Sequence, residues 1–184
     1  VLAQDWQGDI EHVIVSDENP TLRAMMLELH EATGRPVRFV EVGDNWRNEV
    51  TLKSTGGVAW MLGSYLALGD FVGFCGDDDE LLPHHVSAHV AAMRQAGAVW
   101  SVSKVDFWAH GTPAGMVIGD TSYELGHLDS TGIMCWKGAL SVARWNPNGQ
   151  DATDWQMVRD WRAAGLVGAF VADITGIHHD GWLS

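Results

Sequence analysis

Three consecutive carboxylates, Asp77, Asp78 and Asp79, follow the apolar run Phe71-Val72-Gly73-Phe74-Cys75 with only Gly76 between. Like charges this close raise one another's proton affinity and call for a positive compensator, and clusters of oxygen ligands suit magnesium or manganese. A divalent ion bridging these carboxylates to a diphosphate is the chemistry the run best supports; the same residues would also make a solvated acidic loop ahead of a helix opened by Pro83. Another acidic residue, Asp17, lies just after the β-branched run His12-Val13-Ile14-Val15. In open α/β sheets ligands gather beyond the carboxyl ends of the strands, which is where Asp17 and the triple acidic run both fall.

Other groups invite a chemical reading beside a plain one. His178 and His179 follow a predicted strand, where a neutral imidazole could reach the same metal from the opposite side or simply stand in a surface turn. His85 and His89, one helical turn apart, superficially suit zinc, but with no third ligand in view a solvent-facing pair is expected. Asp154 falls in the first turn of a predicted helix, a place the helix dipole alone explains. Trp136, Trp145 and Trp182 lie in the irregular second half, where ring faces could stack on a sugar, whereas Trp155 and Trp161 share a helix face and are assigned to the core. Asp129-Ser130-Thr131-Gly132 could supply polar contacts to an acceptor, and turn chemistry explains it equally well.

The elements that must position these groups alternate. A strand over His12 to Val15 leads through Asn19-Pro20 into a helix with Leu22, Met25, Met26 and Leu29 on one face, then a strand over Val37 to Val42. An apolar helix over Val58 to Leu68 precedes the Phe71 to Cys75 strand, which is apolar on both faces as a central strand is. Pro83 opens a helix with Val86, Val90 and Met93 inward, closed at Gly97, and a strand follows over Ala98 to Val105. Phe107 to Gly132 is turn-rich with room for hairpins, Ile133 to Ala143 is compatible with strand or helix, a helix runs from Asp151 to Gly165, and a strand over Ala169 to Ile174 closes the pattern. Strands alternating with helices predict an α/β fold with a mixed, mostly parallel sheet flanked by helices.

At 184 residues and 46% hydrophobic content the chain can bury one core, so a single domain is expected. The net charge of -13, with no basic cluster, disfavours nucleic acid as a partner. No apolar run has the length of a transmembrane segment. Cys75 and Cys135 stand alone in apolar surroundings, and Val1 to Asp5 lack a charged leader, which reads as reduced thiols in a cytoplasmic protein.

Four segments together resemble the family 2 glycosyltransferases of the GT-A (Rossmann-like) fold. Val1-Leu2-Ala3-Gln4 is similar to the end of that family's first helix, the first strand and most of that helix having no counterpart, and Glu11 to Asp17 is similar to its second strand. The stretch from Leu66 to Pro83 resembles the strand, DxD-type metal motif and proline of the family, and Asp154 to Gly165 resembles the late helix that begins with the catalytic base. The resemblance implies a single GT-A-like domain over 1–184, with a nucleotide-sugar-binding half over 1–105 and an acceptor-binding half over 106–184.

It further implies an inverting, metal-dependent transfer of a sugar from a nucleotide-diphosphate donor to a hydroxyl of a glycan or other acceptor, with Mn2+ or Mg2+ as cofactor. Asp154 is then the base, Asp17 a contact to the nucleotide, and Asp77 and Asp78 the metal and diphosphate ligands with Asp79 assisting. One of His178 and His179 becomes a candidate further ligand. Gly76 stands where many members carry the first Asp of DxD, and Trp60-Met61 where members often carry Arg and Asn, which makes Arg47 and Lys53 candidate diphosphate contacts. These departures also support a rival reading, a GT-A-like domain that keeps the sheet without turnover. A nucleotidyltransferase would need a glycine-rich, basic phosphate loop near the amino end, and none is present.

Overall fold

The computed structural model describes residues 1, 3–17, 20–34, 37–42, 57–145 and 153–180. Strand β1 (His12–Asp17) pairs in parallel with β2 (Val37–Val42), His12 opposite Val37 and Asp17 opposite Val42, and helix α1 (Pro20–Thr33) makes the crossover. Helix α1 buries Met26 and half-buries Leu22 and Leu29, an i, i+4, i+7 stripe. Met25, expected on that face, is 57% exposed, because i+3 from Leu22 falls on the stripe's outer edge.

Helix α2 (Gly57–Leu66) precedes β3 (Phe71–Gly73), and a six-stranded sheet follows. Its order is β3, β7 (Ile133–Trp136), β5 (Trp100–Ala109), β8 (Gly168–Asp180), β4 (Glu80–Leu81), with β6 (Thr112–Ile118) paired to β5 as a hairpin. The long β5–β8 ladder is parallel and the shorter pairings are antiparallel, so the expected α/β class with a mixed sheet holds. Among the described residues β3 pairs only with β7. Within the described residues β3, expected to be central, thus stands at the sheet edge, and Phe74, just past its end, is covered edge-on by Trp145 at 4.9 Å.

Helices cover both faces. On one face α4 (Thr153–Ala163) packs Met157, Val158 and Trp161 with Trp100, Val102, Ile133 and Cys135. On the other α3 (His85–Ala96) packs Val90 and Met93 with Met134. Successive β7 residues thus serve opposite cores, as period-two alternation requires. Helix α3 stops at Gly97, whose φ of 61° suits a left-handed cap. Trp161 donates Nε1–H to the carbonyls of Ala139 and Ala143, both at 2.9 Å, so its burial leaves no polar atom orphaned. Trp145 is 1% exposed and belongs to this core, which removes it from any sugar-stacking surface. Trp136 is 49% exposed, and Trp182 lies outside the described residues.

The segment from Ile133 to Ala143, compatible with either element, divides into strand β7 and a 3-10 turn over Lys137–Ser141. Strand β8 outruns its expected end at Ile174 and carries His178 and His179 inside the sheet. Both cysteines are free, and no described helix is long and apolar enough to cross a membrane.

Candidate functional site

The acidic run leaves the end of β3 and folds back before β4. A side-chain carbon on Gly76 would sit 2.8 Å from Asp79 Oδ2 and 3.2 Å from Asp78 Oδ1, so the space a larger residue would take is filled by the two carboxylates. Asp77 and Asp78 point outward and are exposed; Asp79 turns in, its side chain 3% exposed.

Asp79 meets residues from two distant segments. His178 Nδ1 lies 3.2 Å from Asp79 Oδ1 and 3.2 Å from Asp129 Oδ2, one ring nitrogen between two carboxylates. Thr131 Oγ1 donates to Asp79 Oδ2, the His179 backbone N–H donates to Asp79 Oδ1 at 3.4 Å, and Thr131 N–H donates to Asp129 Oδ1 at 2.8 Å. That last bond makes Asp129 the cap of a 3-10 turn over Ser130–Gly132, which delivers its carboxylate to Asp79. The ring of His178 stacks on Phe107, centroids 4.2 Å apart and planes within 25°.

The electrostatics follow from this geometry. Close approach to the accepting carboxylates of Asp129 and then Asp79, against a smaller opposing effect of burial, pushes the His178 imidazolium up to about 10. Burial alone would raise Asp79, but bonds from His178 and Thr131 outweigh it and hold the carboxyl below its ordinary range. Asp78 is held above that range, chiefly by partial desolvation, with Asp79 and Asp77 adding like charge.

One ligand atom each from Asp79, Asp129 and His178 fall within 4.8 Å of one another, a spacing and donor set able to hold a divalent metal ion. Asp79 comes from the half expected to hold a donor, Asp129 and His178 from the half expected to hold an acceptor. His178 joins the group through its ring. His179, one residue on, faces the other way and places Nε2 3.0 Å from Glu80 Oε1.

Asp154 sits in the first turn of α4, accepting from Trp155 N–H at 2.7 Å. Burial, opposed by that bond and reinforced by the charge of Asp129, pushes its carboxyl up to about 6. The backbone of Asp17 ends β1, as expected. Arg47 and Lys53 lie outside the described residues.

Asp129 is the ligand-like residue that sequence reasoning assigned elsewhere, since nothing near it in the chain marks Asp79 as its partner. The only local signal is the Asp-x-Thr cap ahead of an apolar run. His85 and His89 correct the expectation of a solvent-facing pair: both are 0% exposed, rings 4.4 Å apart. They face the sheet because His85 Nδ1 finds Thr175 Oγ1 at 2.9 Å and His89 Nδ1 finds Ser101 Oγ at 2.8 Å, so burial leaves these nitrogens paired.

No family model matches the sequence, and no curated protein matches it by sequence. Solved structures do match. S. aureus TarS in complex with UDP-GlcNAc aligns over 100% of this chain and 53% of that one, with a TM-score of 0.73 and 12% identity. TarS in complex with UDP aligns over 98% and 54%, with a TM-score of 0.69 and 12% identity. The fold is the one seen in TarS. The inositol-1-phosphate CTP transferase of T. maritima is more distant, with a TM-score of 0.55 and 9% identity over 94% of this chain and 71% of that one. This chain spans about half the length of the TarS chains it matches. Identities this low establish the Rossmann-like α/β fold and no more.

Proposed function

We propose that the chain is the donor-binding and catalytic part of an inverting glycosyltransferase that moves a sugar from a nucleotide-diphosphate donor to a hydroxyl acceptor. One observation carries the reading: Asp129, a member of the Asp79, Asp129 and His178 group, adds its charge to the burial that pushes the Asp154 carboxyl up to about 6. The resemblance of Leu66 to Pro83 and Asp154 to Gly165 to family 2 glycosyltransferases supports it, as does a fold shared with a protein that holds UDP-GlcNAc.

Two carboxylates and an imidazole suit manganese better than magnesium, which prefers oxygen alone. Asp79, Asp129 and His178 would hold the ion, with exposed Asp78 and Asp77 on the side open to a diphosphate. When bound, the ion offsets charge on the departing nucleoside diphosphate. His178 must give up its Nδ1 proton to become a ligand, so binding releases a proton. Asp154, ionised above about pH 6, accepts the proton of the acceptor hydroxyl as that oxygen attacks the anomeric carbon. Asp17 is assigned to the nucleotide, and Arg47 and Lys53 to the diphosphate.

A second reading has one observation in its favour. With its proton in place His178 already neutralises Asp79 and Asp129, so the triad also works as a permanent ion pair in a GT-A-like domain without turnover. Calorimetric titration with UDP-GlcNAc, with and without manganese, in buffers of different ionisation enthalpy, separates the two. Manganese-dependent binding with proton release supports the enzyme; absence of both donor and metal binding overturns it.

A further inference from the structure

Strand β8 changes phase on its way to the site. It pairs with β5 from Trp100 opposite Gly168 to Ser103 opposite Val171, then Lys104 stands opposite Ile174 and Val105 opposite Gly176, a register kept to Ala109 opposite Asp180. Between Val171 and Gly176, β8 therefore carries Ala172, Asp173 and Thr175 in excess of β5. An odd excess reverses which residues of a strand face a given side of the sheet.

Thr175 is the excess residue nearest the site, and it is fully buried. Its Oγ1 lies 2.9 Å from His85 Nδ1, 2.6 Å from Ser103 Oγ and 3.4 Å from His89 Nε2. Ser103 Oγ in turn donates to the Gly132 carbonyl at 3.4 Å. One consistent set of donors runs from the two histidines to Thr175, from Thr175 to Ser103, and from Ser103 to Gly132. Gly132 ends the turn that carries Asp129 and Thr131. The fit is close, since a side-chain carbon on Gly132 would lie 2.9 Å from the Ser103 carbonyl oxygen and one on Gly176 would lie 2.8 Å from Thr131 Cγ2.

We infer that Thr175 is a positioning residue: held by His85 and Ser103, its hydroxyl pins the bulge that turns His178 rather than His179 towards Asp79 and Asp129. Without this peg the bulge keeps the Leu82 N–H bond to the Thr175 carbonyl at 2.9 Å and the His84 Nε2 contact to the Ile174 carbonyl at 3.1 Å, and a slip of β8 by one residue exchanges the two histidines. The catalytic meaning of the device rests on the function proposed above, but its geometry does not.

The test compares Thr175→Val, which keeps the shape and removes the hydroxyl, with Thr175→Ser, which keeps the hydroxyl. The first readout is the nuclear Overhauser contact between the His178 and Phe107 rings in the metal-free chain, and the second is manganese affinity. Wild type and Thr175→Ser are expected to keep the ring contact, while Thr175→Val loses it and binds manganese roughly 10-fold more weakly or worse, as losses of outer-shell partners do. Persistence of the contact in Thr175→Val, or its loss in Thr175→Ser as well, overturns the inference. Should Thr175→Val fail to fold, Ser103→Ala cuts the link between Thr175 and Gly132 and is judged by the same ring contact. A wild type that binds no manganese overturns the metal reading alone, because the ring contact still decides the role of Thr175.

Discussion

Nδ1 of His178 lies 3.2 Å from Oδ2 of Asp129, and that contact joins the end of the last described strand to a turn that precedes β7. Asp129 supplies the largest part of the field that keeps His178 protonated. Asp129→Asn is expected to bring the imidazole down from about 10 towards its ordinary value near 6.5, read by NMR titration of the histidine ring. In the metal-free chain the His178 contribution to stability is fully present below about pH 6.5 and is lost as the pH rises through 10, because the unfolded chain releases that proton first. Thermal melts between pH 7 and 10 should fall in wild type and fall less in the variant.

Asp154 carries opposite demands of stability and chemistry. Its raised proton affinity means that the native chain holds a proton the unfolded chain has lost between about pH 4 and 6, so stability falls as pH rises through that window. Asp154→Asn is expected to stabilise the chain at pH 7 by about 1 to 2 kcal/mol, because the native chain no longer has to hold a partly buried carboxylate. The same change should lower transfer by roughly 10²- to 10⁴-fold, the usual worth of a general base. In wild type the rate should climb with pH to a plateau above about 6. A variant that melts higher and still turns over at the wild-type rate would move the base elsewhere.

The buried histidine pair predicts acid lability. Burial pushes His85 down to about 4 and holds His89 well below its ordinary value, so their neutral forms contribute stability above about pH 6.5 that is lost as pH falls towards 4. For His85 that amounts to something on the order of 3 kcal/mol. Because Asp154 has the opposite slope over part of this range, the measurement belongs in the Asp154→Asn background. There the melting temperature should drop steeply from pH 6.5 to 4, and His89→Gln, which can still bond Ser101, should flatten the slope.

Gly76 is the one place in the acidic run where a side chain cannot be added freely. Gly76→Ala puts a carbon into the 2.8 Å approach of Asp79 Oδ2, and Asp79 cannot retreat without breaking its bonds to His178 and Thr131. The expected result is a roughly 10-fold loss of manganese affinity together with a lower melting temperature, because buried Asp79 loses partners. Unaltered affinity would show that Asp79 is not a ligand.

The local elements were legible because they depend on local chemistry. Periodicity marked the α1, α3 and α4 helices, β-branched and apolar runs marked β1, β2, β5 and β8, and Pro20, Pro83 and Gly97 marked helix ends. The acidic run draws its chemical reading from its position after a strand, and Asp154 draws its reading from a resemblance to a known helix start. Only the tertiary structure decided which carboxylates meet. Asp79 rather than Asp77 turns inward because Thr131 and His178 are there to satisfy it. Asp129 becomes its neighbour because β7 and β8 flank β5, so that the turn before β7 and the end of β8 reach the same sheet end. The choice of His178 over His179 depends on three excess residues in β8, Ala172, Asp173 and Thr175, whose effect is a phase of pairing between strands distant in the chain. That phase has no local signature, and the same is true of the buried His85 and His89: helical spacing puts them on one face, but whether the face meets water or Ser101 and Thr175 is settled only when the sheet is built.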